Sequence, residues 1–167
     1  TGQLLAASLQ DALRSNGFQL EAQPLVALRD RTAQPVGYEF LIRLRGADGE
    51  LLAPDRFLAA CEQYGLLPAL DRWALCSAVE TLRGSPLAQA DSGLFFTVNV
   101  SAQSLVSRKY AAFALETLAA AGVPASAFCF ELKESAAVAN LAAAEALIRD
   151  LAKAGAKVAL DDFGSGL

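Results

Sequence analysis

Residues 128–160, FCFELKESAAVANLAAAEALIRDLAKAGAKVAL, hold one complete strand–helix–strand unit. Phe128 to Leu132 is an apolar run of strand length, residues 137–154 carry apolar side chains at helical spacing, and Lys157 to Leu160 is a second short run. The pattern repeats upstream, where Leu94–Val100 reads as a strand and about 102–121 as a helix. The strand starts at 94, 128 and 157 lie 34 and 29 residues apart, the length of a unit that returns parallel to itself. The runs are continuous rather than alternating, as strands are when helices cover a parallel sheet. An α/β architecture follows, doubly wound or a barrel.

Nearer the N-terminus, Leu4, Leu5, Ser8, Leu9, Ala12 and Leu13 recur at helical spacing and Asn16-Gly17 supplies a stop. Phe18–Leu28 and Val36–Leu44 read as successive strands joined by a turn at Arg29-Asp30-Arg31, and Asp48-Gly49 marks the next turn. Pro54-Asp55 opens a helix through Phe57, Leu58 and Cys61. A second helix runs through Leu70, Trp73, Ala74 and Val79 and stops by Gly84-Ser85-Pro86, and Leu66, Leu70, Trp73 and Leu75 form an apolar set read as core.

Composition narrows the classes. Over 167 residues, 54% apolar, one domain with a sizeable core is expected. A net charge of -4 without a Lys/Arg run argues against a duplex-binding surface. Three cysteines, Cys61, Cys76 and Cys129, lie widely spaced in apolar stretches without a CxxC pair and read as reduced core residues of a cytoplasmic domain. With no histidine, a structural zinc site has no support. No apolar run reaches membrane-spanning length and no basic n-region opens the chain. The lack of any methionine is consistent with a piece of a longer protein, whose other regions could tether it to a membrane.

The polar residues on the strands carry the chemistry. Glu39 lies within one apolar strand, Asn99 closes another, Glu131 sits inside FELKES, and Asp161 and Asp162 close the last. In parallel α/β folds the carboxyl ends of strands form the ligand face, so separate strands would deliver these oxygens to one place. Any one of them could instead be a helix cap or a loop acid. Carboxylates on buried strands are costly without a cation or hydrogen bonds, and oxygen-only ligands favour a hard cation such as Mg²⁺ or Mn²⁺.

VGYEFLIRL (36–44), FTVNVSAQSL (96–105), FELKES (130–135) and VALDDFGSG (158–166) resemble, in this order and spacing, the successive motifs of EAL domains, the bacterial cyclic di-GMP phosphodiesterases. FQLEAQPLVAL (18–28), PDRFLAACEQYGLLPALDRWAL (54–75) and LIRDLAKAGAKVAL (147–160) match the connecting segments. The resemblance implies a TIM-like (β/α)₈ barrel, present here through about its fifth strand, with 1–17 an N-terminal helix or linker and 18–167 the domain. It further implies hydrolysis of cyclic di-GMP to linear pGpG with two Mg²⁺ or Mn²⁺ ions.

By motif position, Glu39, Asn99, Glu131 and Asp161 resemble ligands of the first ion and Asp162 a ligand of the second, with Glu39 and Glu134 in the catalytic set. Gln23, Leu41, Arg43 and Asp161 match substrate-binding positions: Gln23 beside a guanine, Arg43 at a phosphate. Glu134 resembles the acid that steadies a neighbouring loop. Four positions depart from the pattern: Phe40, Leu44, Lys133 and Ser165. Strand alternation points Phe40 away from Glu39, whereas Lys133 brings a cation to the edge of the site.

The family continues past a DDFG-like motif with a lysine and further acidic and amide ligands, so these residues alone are expected to be inactive. A homodimer and an upstream sensory or GGDEF domain are further expectations. The rival reading is an inactive EAL-like receptor or scaffold for cyclic di-GMP. Asp162-Phe-Gly164 also occurs in kinases, but no Gly-rich or HRD-like loop precedes it.

Overall fold

Strand β1 (Phe18–Val26) runs antiparallel to β2 (Pro35–Arg45), with Gln23 opposite Glu39 and Gln19 opposite Arg43. Pro24 lacks an N–H to donate and sits where a sheet tolerates that, on a strand paired on one side only among the described residues. These features come from a computed structural model, which describes residues 2–28, 34–162 and 164. The turn expected at Arg29-Asp30-Arg31, and Ser165, lie outside the described residues.

Three further strands, β4 (Phe95–Val100), β5 (Phe128–Lys133) and β6 (Lys157–Asp161), add to β2 in parallel, giving the order β1-β2-β4-β5-β6. The two-residue β3 (Leu51–Leu52) pairs with the end of β2, an addition too short to leave a period in the sequence. The parallel α/β reading therefore holds, with an antiparallel strand at its start.

The sheet has two chemically distinct faces because successive side chains on a strand alternate. One face carries Phe40, Phe96, Val98, Phe128, Phe130 and Leu132, all in one buried cluster with helical side chains such as Leu75, Val79, Leu118 and Leu151. Phe40 stacks on Phe96 at 5.9 Å between ring centroids, and Phe96 continues to Phe128 at 6.3 Å. Burying each such ring stabilises the fold by about 1.5–3 kcal/mol. Phe40 thus packs on the helices, as alternation predicts.

The helices covering that face are more broken than the apolar rhythm predicts. The stretch expected as one helix over 102–121 is α4 (Ala102–Ser107) and α5 (Tyr110–Ala121), interrupted where Arg108 takes a left-handed φ of 55°. The stretch over 137–154 begins earlier, as α6 (Glu134–Ala139), and resumes after Asn140 as α7 (Leu141–Lys153). Asn140 lies in neither helix, at φ -135°, with its side-chain amide donating back to Ala136 O. Pro54-Asp55 opens a single 3₁₀ turn before α2 (Leu58–Gln63), and α3 (Leu67–Leu82) follows.

A second, smaller core seats helix α1 (Gly2–Arg14): Leu9 packs with Phe18, Phe57, Cys61, Leu66 and Leu70, and Trp73 lies 5.6 Å from Phe18. Cys61 and Cys129 are buried, but Cys76 is exposed, which corrects the reading of all three as core. Cys76 follows the fully buried Leu75, and one helical step of about 100° carries it to solvent. No helix among the described residues is long and apolar enough to cross a membrane.

Candidate metal and phosphodiester site

The face away from the helices is polar. Parallel register sets Glu39 beside Thr97, Asn99 beside Glu131, and Lys133 beside Asp161, and paired residues share a face. Glu39, Asn99, Glu131 and Asp161 therefore occupy one face of four adjacent strands, rising towards their carboxyl ends. The Asn99 amide Nδ2 donates to Glu39 Oε1 at 3.2 Å, a contact between residues 60 apart in sequence. Glu39 and Glu131 are half-buried and Asn99, Asp161 and Asp162 exposed, so these carboxylates are wetter than the apolar runs around them imply.

Glu131 is pushed up to about 7, by burial first, then by the Glu39 and Asp161 carboxylates, with the Thr97 hydroxyl opposing. A set of acids that repel one another on a partly desolvated surface favours a cation between them. Asn99 donates through its amide nitrogen to Glu39, which leaves the amide oxygen as the acceptor it can turn to a cation. The donor chemistry fits a hard divalent ion, although among the described residues no three acids or cysteines close into a metal-holding group by themselves.

At one flank, Arg43 Nε donates to Glu21 Oε2 at 2.8 Å and its Nη1 donates to Ile42 O, which holds the guanidinium at the rim beside half-buried Leu41. Gln23 is exposed on the neighbouring strand, across from Glu39. At the other flank, the Glu134 carboxylate accepts the Gly164 N–H at 2.6 Å and so ties α6 to the turn after β6. Asp162 takes a φ of 54° and donates its N–H to Asp161 Oδ1. Lys133 Nζ lies 3.7 Å from Asp162 Oδ2, so the unusual cation faces one of the expected ligands.

Two contributors escaped the sequence reading. Glu21 carries no signal beyond its place on an alternating strand. Asp71 could have been noticed, because it falls on the buried stripe of α3 between Leu70 and Ala74. Burial raises its pKa, against hydrogen bonds from the Ser101 hydroxyl and N–H.

The family described as EAL domain matches residues 6–167. The chain belongs to the EAL domain family. Among curated relatives, this EAL domain is 30% identical over 158 residues to the cyclic di-GMP phosphodiesterase PdeF of Escherichia coli, and 33% identical to the cyclic di-GMP phosphodiesterase NbdA of Pseudomonas aeruginosa. Both alignments cover 95% of this chain and 20% of the relative, so the chain spans about a fifth of those proteins. Among solved structures, it superposes on the FimX EAL domain of Pseudomonas aeruginosa bound to c-di-GMP with a TM-score of 0.83, at 29% identity, covering 96% of this chain and 62% of that one. The PaMucR phosphodiesterase in its c-di-GMP complex gives a TM-score of 0.88, at 26% identity, covering 98% of this chain and 65% of that one. The fold is the TIM-like barrel of these domains, with this chain covering about six tenths of them.

Proposed function

We propose that the protein carrying this domain hydrolyses cyclic di-GMP to linear pGpG with Mg²⁺ or Mn²⁺, and that Glu39, Asn99, Glu131 and Asp161 hold a first ion and Asp162 begins the site of a second. The observation that carries the reading is the convergence of Glu39, Asn99 and Glu131 on one polar sheet face, with Glu131 raised by burial first and then by its acidic neighbours. Bound ions would neutralise the phosphodiester oxygens and lower the pKa of the attacking water.

The chain's own residues bind and orient. Arg43, fixed through Glu21 and the Ile42 carbonyl, presents a pre-oriented guanidinium to a phosphate. Gln23 offers donor and acceptor to a guanine edge, and Leu41 supplies an apolar contact between them. Glu134 holds the turn carrying Asp162 through Gly164. The upstream sensory or GGDEF domain, the homodimer and the cytoplasmic location stay part of this proposal.

The test is turnover of cyclic di-GMP to pGpG by the intact protein with Mg²⁺ or Mn²⁺, followed chromatographically. Loss on chelation and a fall of more than about a hundredfold in Glu39→Ala and Glu131→Gln is the expected result, since each removes a direct oxygen donor. Metal-independent turnover would reject it. The receptor reading rests on Lys133, whose ammonium faces Asp162. Saturable binding of cyclic di-GMP with no product under either metal would establish that reading instead.

A further inference from the structure

Asp71 is 7% exposed and lies on α3, on the helical side of the sheet. Burying a carboxylate costs several kcal/mol unless partners replace its water. No ion pair of Asp71 is found among the described residues, and the adjacent Arg72 is turned over the Phe113 ring, 4.5 Å from its centroid. The replacement is a clamp on one residue: Asp71 Oδ2 accepts both the Ser101 N–H at 2.9 Å and the Ser101 hydroxyl at 2.6 Å.

Ser101 is the hinge between Asn99 and α4. It follows Asn99 by two residues, and its hydroxyl oxygen accepts the Ser104 N–H at 3.2 Å as the cap of α4. Ser101 by itself satisfies that cap. The corresponding turn from β5 into α6 has no side-chain cap bond at Lys133. The buried acid is therefore spent on the single strand end that bears Asn99, whose amide must reach across to Glu39.

We infer that Asp71 is a positioning residue for the metal site: by clamping Ser101 it fixes the exit of β4, and with it the rotamer and reach of Asn99. This rests on the reading of Asn99 as a metal ligand. Outer partners that orient a ligand typically change metal affinity by 10–100-fold when removed, which sets the size of the effect.

The experiment measures the Mn²⁺ dissociation constant of the intact protein by electron paramagnetic resonance, at a temperature where every variant is folded by circular dichroism. Asp71→Ala is expected to weaken binding at least about tenfold, and Asp71→Asn, which keeps an acceptor oxygen, to stay within about threefold of wild type. Ser101→Ala, which removes the 2.6 Å bond, is expected to weaken it as well and replaces Asp71→Ala if that variant does not fold. Leu75→Val, a core change one turn along the same helix, is expected to lower stability and leave Mn²⁺ binding unchanged. Equal weakening by Leu75→Val, or a folded Asp71→Ala within twofold of wild type while Asn99→Ala binds poorly, overturns the inference alone. Unchanged binding in Asn99→Ala overturns the ligand reading and the inference together.

Discussion

Phe40 and Glu131 show what single residues contribute on the two faces of one sheet. Phe40 neighbours Glu39 in sequence but is buried among helices and stacks on Phe96, so the two side chains share no environment. Phe40→Ala is expected to cost about 3 kcal/mol of stability through lost burial and a cavity, read as a lower denaturation midpoint, with Mn²⁺ affinity unchanged. Higher affinity would mean that the ring disturbs Glu39. Glu131 has a folded pKa near 7 against 4.5 for an ordinary glutamate. Between those values the folded state binds more protons at Glu131 than the unfolded one, so the contribution of this group to stability is fully present below about pH 4.5 and is lost as pH rises through 7. The urea midpoint of metal-free protein is expected to fall from about pH 5 to about pH 8, and Glu131→Gln to flatten that slope.

At the scale of elements, the breaks in the helices are local backbone events. Arg108 ends α4 in a left-handed conformation, which costs a side-chain-bearing residue about 1–2 kcal/mol and glycine little. Allowing for the greater freedom of glycine in the unfolded chain, Arg108→Gly is expected to raise stability by about 0.5–1 kcal/mol, measurable by chemical denaturation. The helix–strand rhythm was legible because its period depends on nearest neighbours. The break at Arg108 was not, since arginine rarely takes a positive φ and nothing in SLVSRKY announces that it does here. Cys76 was misread for a related reason: an apolar neighbourhood in sequence includes the outer face of a helix as well as the inner.

Across the whole molecule, β6 forms one side of the described ladder, with Leu160 46% exposed beside half-buried Val158. A strand edge with unpaired backbone groups and open apolar side chains recruits another strand. A polypeptide of residues 1–167 alone is expected to self-associate at micromolar concentration, seen as a concentration-dependent sedimentation coefficient. A stable monomer at all concentrations would contradict that.

By itself the sequence determined the α/β class, because that depends on the local periods of the backbone, and it singled out the candidate acids, because a carboxylate within or at the end of an apolar run is visible in the residues themselves. Only the tertiary structure decided that Asn99 reaches Glu39 and pairs in register with Glu131, that Glu21 holds Arg43, that Lys133 faces Asp162, and that Asp71 clamps Ser101. Those are contacts through space between segments up to 60 residues apart, set by strand register and helix packing, and such distances leave no trace in local sequence.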